Sequence, residues 1–205
     1  MKHWSPALKA FLGIFIFYQV LGWLFVGSFE RIDQLLLING ANNAFADIVF
    51  QGLTSIAEVV LPILLLVYLI RFQKAYALPY VYSYALSTGL IQILKHFVFS
   101  EALRPLAYFA SSGVKWHLVE GLPIHSYNSM PSGHTGAAFF MFFWVAVLLR
   151  RWHWGLFAGL IAVGVAYSRV YLFQHFPVDT LVGAAIGVSS SALFYSIHYA
   201  KSSSK

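Results

Sequence analysis

Residues 128–140 read NSMPSGHTGAAFF, and the chain continues as MFFWVAVLL to residue 149. A polar turn holding Pro131, Ser132, Gly133 and His134 opens straight onto an apolar run. Pro131 suits the first turn of a helix, where its missing N–H costs nothing. The pattern therefore predicts a helix over His134–Leu149 with its mouth at the turn. The peptide N–H groups of Gly133 and His134 then fall among the unpaired donors of the helix start. Such an end attracts an anion, and a glycine lets that anion come close to the backbone. Ser132 adds a hydroxyl donor. Taken alone, the stretch is equally a cap on an apolar helix, so its surroundings decide.

Those surroundings are lipid-like. Of 205 residues, 60% are hydrophobic and only 10% are charged, against about 45–50% and about 25% in an ordinary soluble domain. So few charges cannot cover a soluble protein of this size, and the composition points to one integral-membrane domain over residues 1–205. The formal net charge of +6 does not indicate nucleic acid, because the cations are dispersed between apolar runs. With no cysteine, neither disulfide nor thiolate chemistry is available. The first apolar run ends without an Ala-x-Ala-like site, so it reads as a span and not as a removable signal peptide.

A spanning helix needs about 20 mainly apolar residues. Six segments are candidates: Ala7–Gly27, Ser55–Ile70, Ala75–Phe99, His134–Leu149, Trp154–Phe173 and Val178–Tyr199. The expected fold is an all-α, six-transmembrane-helix bundle, with Pro62 and Pro79 starting or kinking their helices. Lys2, Lys9, Arg71, Lys74, Arg150, Arg151, Lys201 and Lys205 all fall on one side of this arrangement. The positive-inside rule makes that side cytoplasmic, with both termini inside. Every acidic residue falls on the other side: Glu30, Asp33, Asp47, Glu58, Glu101, Glu120 and Asp179. Arg31 and Lys115 join them there. So do Lys95, Arg104 and Arg169, cations on the wrong side that a bound anion would explain. Residues 29–50 read as an interfacial amphipathic helix or an ordinary outer loop. The long outer loop 100–132 has the length of a functional one.

Three clusters sit at the outer helix ends: KHFVFSEALRP with Lys95 and Arg104, the turn with Ser132, Gly133 and His134, and SRVYLFQHFPVD with Arg169, His175 and Asp179. Pro177 predicts a helix start that places Asp179 in the first turn. Its carboxylate can then accept the N–H of His175, four residues earlier, and free the other ring nitrogen as nucleophile or base. An isolated histidine near an interface is usually a headgroup contact, which is the reading given to His3, His117, His125, His153 and His198. Three cations and helix N–H donors together describe a phosphoryl-binding pocket. Two histidines supply a nucleophile and a general acid. The set describes a metal-free route to phosphate ester hydrolysis through a phosphohistidine.

These clusters resemble the three signature motifs of the type 2 phosphatidic acid phosphatase (PAP2) family of integral-membrane lipid phosphatases, whose site design is shared with vanadium haloperoxidases. Pro131-Ser132-Gly133-His134 matches the second motif. Ser168-Arg169, five residues, His175, three residues and Asp179 match the third. The resemblance implies that Lys95, Arg104, Arg169, Ser132 and the Gly133 N–H hold phosphate. It further implies that His175 attacks phosphorus, Asp179 orients His175, and His134 protonates the leaving alkoxide. No cofactor or metal is implied, and the partners are a lipid phosphate and the surrounding membrane lipids. The first motif departs from the pattern, with eight residues between Lys95 and Arg104 where the family has six. Nine positions along an unbroken helix end about half a revolution away. Either the helix ends or bulges between the two residues, or Lys95 is not a ligand and Arg104 outweighs it; His96 is then a possible substitute.

Within the family, undecaprenyl diphosphate, phosphatidylglycerol phosphate, phosphatidic acid and lipid A are all conceivable substrates. The expected setting is a bacterial inner membrane, with the site on the periplasmic or extracytoplasmic face. A phosphotransferase using the same phosphohistidine is the alternative enzyme. A lipid-phosphate transporter would need the cations but not the His134, His175 and Asp179 set.

Overall fold

Proline, serine and paired cations set the ends of the apolar helices. The structure, a computed structural model, describes residues 4–56 and 60–203. Lys2, His3, Glu58 and Lys205 lie outside the described residues. Helix α1 (Pro6–Ser28) begins with Pro6 at its first position and Ser5 as its cap, the Ser5 hydroxyl accepting the Leu8 N–H at 3.1 Å. Helices α2 (Arg31–Asn39) and α3 (Ala44–Ile56) follow, then α4 (Val60–Phe72) and α5 (Lys74–Ile93). A π-helical turn, Leu94–Val98, ends α5. The next connection holds one short helix, α6 (Pro105–Tyr108), before α7 (Gly133–Leu148), α8 (Trp152–Tyr171) and α9 (Pro177–Ser203). No strand occurs among the described residues, so the fold is all-α.

Helix α7 is the axis of the bundle, packed by α1, α5, α8 and α9. Phe139, Phe140, Phe143 and Trp144 are buried almost completely. They meet Tyr18 (5.5 Å, stacked), Tyr80 (4.8 Å) and Phe11 (6.2 Å, edge-on) from α1 and α5. Such ring pairs add about 0.5–1.5 kcal/mol each beyond the area they bury. Against α9 the contact is of another kind. A Cβ at Gly183 would run into the Ser132 carbonyl, and one at Gly187 into the Gly136 carbonyl. Small residues four apart let the two backbones touch, the close-packing device of membrane helices.

One expectation changes. The stretch 29–50 is neither one helix nor a loop: α2 ends at Asn39, and α3 starts afresh where Asn43 Oδ1 accepts the Ala46 N–H at 2.9 Å. Among the described residues, α1, α8 and α9 are each long and apolar enough to cross a membrane, while the expected segment Ser55–Ile70 is divided between α3 and α4. Helices α3 and α4, bent by 42° to each other, are apolar enough together for one broken span or a re-entrant loop. Helix α7 has 16 residues and extends about 24 Å at 1.5 Å per residue, short of the hydrocarbon thickness. Helix α5 carries Ser83, Ser87, Thr88 and Gln92, which dilute its apolar character. Leu24 and Leu160 are more than half exposed, as are Ile63, Leu64 and Val67 on α4. Side chains of this kind suit hydrocarbon better than water.

Candidate active site

The ends of α5 and α8 and the starts of α7 and α9 meet at one end of the bundle, and each brings one part of the site. Helix α9 starts at Pro177, as its sequence predicts, so Asp179 lies in its first turn. Its Oδ2 accepts the Phe176 N–H at 2.9 Å and the Ser129 hydroxyl at 2.6 Å, and lies 3.4 Å from His175 Nδ1. With Nδ1 donating, Nε2 keeps its lone pair. His175 is brought back over the end of α8 by a tight turn. The Arg169 carbonyl accepts both the Gln174 and the His175 N–H, at 3.0 and 3.1 Å. The turn requires Phe173 to adopt φ 59°, a left-handed conformation that costs a non-glycine residue about 1–2 kcal/mol. Burial of its ring, 4.6 Å from Trp116, offsets that cost. Burial pushes the His175 imidazole down to about 4, against the opposing effect of Asp179. The ring is therefore neutral at neutral pH.

Helix α7 starts at Gly133, one residue before the expected His134. Ser132 is its cap, and Pro131 precedes the helix instead of occupying its first turn. The reason is the tie to α9: the Ser132 N–H donates to the Asp179 carbonyl at 2.9 Å, and a proline inside the helix would shift that donor. Gly136 is the first residue of α7 to bond back within the helix, to the Ser132 carbonyl at 3.1 Å. The N–H groups of Gly133 and His134 thus precede the hydrogen-bonded turn.

A cavity of about 370 Å³ joins these parts. Its lining includes Lys95, Arg104, Gly133, His134, Arg169 and His175. Lys95 lies in the π-helical turn that ends α5. That turn answers the spacing question: the chain bulges between Lys95 and Arg104, so the longer first motif still brings both to one cavity. His96 is exposed and does not line it. Arg104 is held on three sides. Its Nε donates to the Tyr127 carbonyl at 3.1 Å, and its Nη1 to the carbonyl and side-chain oxygens of Gln174 at 3.3 and 3.2 Å. Burial pushes Arg104 down from its ordinary value, with Asp179 opposing, yet a guanidinium stays cationic. Two predicted residues stand behind the cavity wall. Asp179 backs His175, and the fully buried Ser132 accepts a hydrogen bond from the Thr135 hydroxyl at 3.0 Å. Among the described residues, no group of three or more His, Asp or Glu side chains is placed to hold a metal ion.

The profile of the PAP2 superfamily matches residues 76–203. The chain belongs to this superfamily. It is a phosphoric ester hydrolase and an integral-membrane protein of the PAP2 lipid phosphatase kind. Its fold is similar to the crystal structure of Aquifex aeolicus LpxE, at 28% identity and TM-score 0.69, covering 83% of this chain and 98% of that one. It is also similar to a transmembrane PAP2-type phosphatidylglycerolphosphate phosphatase from Bacillus subtilis, at 20% identity and TM-score 0.62, over 91% of this chain and 94% of that one. No curated protein matches the chain significantly by sequence.

Several contributors to this PAP2 site have no part in the motif reading. Ser129 and Gln174 bond directly to motif side chains; Ser129 lies two residues before the second motif and Gln174 inside the third, so proximity was their signal. Gly183 and Gly187 form a legible small-xxx-small pair on α9. Thr54 and His125 line the cavity from outside any motif. His117 has partners within the protein: its Nε2 lies 2.9 Å from Asp47 Oδ1, and its backbone N–H donates to Asn39 Oδ1 at 2.9 Å.

Proposed function

We propose that the chain is a metal-independent lipid phosphatase acting through a phosphohistidine intermediate. Its substrate is a lipid phosphomonoester or diphosphate, such as phosphatidylglycerol phosphate or undecaprenyl diphosphate. The whole chain forms one domain that crosses a bacterial inner membrane six times, with both termini cytoplasmic and the site at the outer membrane–water interface. The observation that carries this reading is the convergence of Lys95, Arg104, Arg169, His134 and His175 on one cavity, with Asp179 directly behind His175. Lys9, Arg71, Lys74, Arg150 and Arg151 lie at the opposite helix ends, which supports the orientation.

The chemistry follows from the placement. The three cations and the Gly133 N–H hold the phosphoryl oxygens, with Ser132 supporting the helix start. His175 Nε2 attacks phosphorus, its Nδ1–H held by Asp179. The bond from phosphorus to the leaving oxygen breaks as His134 gives that oxygen its proton. Water then attacks the phosphohistidine, His134 takes the water's proton, the P–N bond breaks, and phosphate leaves with His175 neutral again. Asp179 Oδ2 is engaged by Ser129, Phe176 and His175, and the cations lining the cavity are a poor donor set for a hard cation.

The lipid part of the reading rests on a second cavity of about 430 Å³. This mainly apolar groove between α4, α5 and α7 is lined by Val60, Ile91, Ala137 and Phe140, and shares Gly133 and His134 with the cationic cavity. An amphiphile with a phosphate head fits that pair of surfaces. The test is phosphate release by purified protein in detergent, with chelator present, from a panel of lipid phosphates and a soluble monoester. Release from lipid phosphates and little from the soluble ester supports the reading. Release from none of them, or only after Mg²⁺ is restored, overturns it.

A further inference from the structure

Thr54 belongs to no motif and precedes the residues matched by the superfamily profile. It is nonetheless buried and lines the cationic cavity. Arg169 Nη1 donates to Thr54 Oγ1 at 2.6 Å, a buried and short charge-assisted bond.

The delivery of that hydroxyl is built into the packing of α3 on α8. Asp47, Phe50 and Thr54 follow at steps of three and four and share one face of α3. Asp47 Oδ1 accepts the Tyr171 hydroxyl at 2.6 Å. The Phe50 ring lies 4.5 Å from that of Tyr171 and 5.1 Å from that of Tyr167. Leu53 packs over Gly164, where a Cβ would come within 3.3 Å of it. From Asp47 to Leu53 the partners recede along α8 from Tyr171 to Gly164, so the helices are antiparallel, and the long Arg169 side chain reaches back to Thr54. The register is pinned by Asp47 at one end, and Thr54 meets the arginine two turns further on.

We propose that Thr54 is a positioning residue for Arg169, its hydroxyl oxygen holding one arm of the guanidinium so that the fork already faces the phosphoryl group before substrate arrives. The proposal rests on the phosphatase reading above. An arginine has a long flexible stem, and a fork fixed in advance loses less freedom when it grips the developing charge. The N-terminal part of the chain is then more than scaffold, since it sets the geometry of a motif residue.

The test compares Thr54→Val, which keeps the shape and removes the acceptor, with Thr54→Ser, which keeps the acceptor. Thr54→Val is expected to lower kcat/KM about tenfold, mostly in kcat, and Thr54→Ser to recover it to within about threefold. In an Arg169→Lys background the same Thr54→Val change should cost less than about twofold, because a residue acting through Arg169 has little left to position. Thr54→Ala, which adds no atoms, should match Thr54→Val. Wild-type turnover in Thr54→Val overturns the proposal. So does an equal loss in Thr54→Ser, or an undiminished loss in the Arg169→Lys background, which would mean that Thr54 contacts substrate directly. Vanadate binding, followed as protection against heat, reads the pocket without turnover and should weaken in Thr54→Val but not in Thr54→Ser. Absence of wild-type turnover on every lipid phosphate sinks the phosphatase reading alone, and the vanadate series still decides the role of Thr54.

Discussion

The α7–α9 contact and the α3–α8 contact both serve the site, and they are built in opposite ways. The first is backbone against backbone. Glycines at 136, 183 and 187 remove the side chains between the helices, and the Ser132 N–H bonds to the Asp179 carbonyl across the seam. It carries His134 on one helix and Asp179, with His175 just before it, on the other. The α3–α8 contact is made by side chains: a tyrosine hydroxyl on a carboxylate, a ring on two rings, a guanidinium on a threonine hydroxyl. The outer face of α3 is bare, with Phe45 77% and Ile48 73% exposed. Groups that exchange bonds need relative positions fixed to a fraction of an ångström, and a close-packed backbone seam supplies that. Groups that only aim a charge tolerate a softer mount.

The comparison breaks most severely at the nucleophile. His175→Ala removes the covalent route, and phosphate release should fall at least about a thousandfold while the protein still inserts and folds. With radiolabelled substrate, the acid-labile protein phosphate should vanish in the same variant. Near wild-type release would undo the assignment. The seam itself comes next. Gly183→Ala places a Cβ against the Ser132 carbonyl and pushes α7 from α9. A misplacement near 1 Å is expected to cost about a hundredfold in kcat, with about 1–3 kcal/mol of stability lost to overpacking. An unaffected kcat would show that the seam is not what aligns the histidines.

Lys95→Ala and Arg104→Ala form a milder pair. The nine-position step alone predicts that Arg104 dominates. The π-helical turn that keeps Lys95 on the cavity predicts losses within about tenfold of each other, or about 1.4 kcal/mol. A larger gap would return Lys95 to the margin. On the softer contact, Tyr171→Phe deletes the hydroxyl bonded to Asp47, worth about 1 kcal/mol and so about fivefold in kcat/KM if α3 loosens with it. A loss as large as that of Gly183→Ala would erase the distinction between the two contacts. The smallest signal is spectroscopic. Nitrogen-15 ring shifts of His175 should report a neutral imidazole down to about pH 4. Asp179→Asn should move that transition lower still, because Asp179 favours the protonated form. Titration near the ordinary 6.5 would mean that water reaches the ring.

Local chemistry made some features readable in one dimension. Pro177 and Asp179 define a helix start by themselves, because a proline is favoured in the first turn and a carboxylate four residues after a histidine can fold back on it. The apolar runs mark their helices because every such run must bury or meet lipid. Composition alone leaves the span count open: α7 is as apolar as any helix but has 16 residues, and α5 is long enough but polar on one face, with Ser83 and Ser87 buried toward its neighbours. Pro131 misled, standing two residues ahead of the first helical residue, Gly133, because the α7 start answers to a hydrogen bond given to α9 that no local rule contains.

The amino-acid sequence by itself determined the all-α membrane character and singled out the candidate reacting groups, since hydrophobic runs and motif spacing depend only on neighbours along the chain. The tertiary structure alone decided which groups share a cavity and how each is held. Thr54 and Arg169 are 115 positions apart, Ser129 and Asp179 are 50 apart, and Arg104 and Gln174 are 70 apart. No periodicity relates such pairs. They meet because glycines let α7 and α9 close on each other and because α3 lies in antiparallel register on α8. The π-helical turn at Lys95 belongs to the same class. Its two extra residues are visible in the sequence, but whether they turn the lysine away or carry it back is settled by where Arg104 must stand.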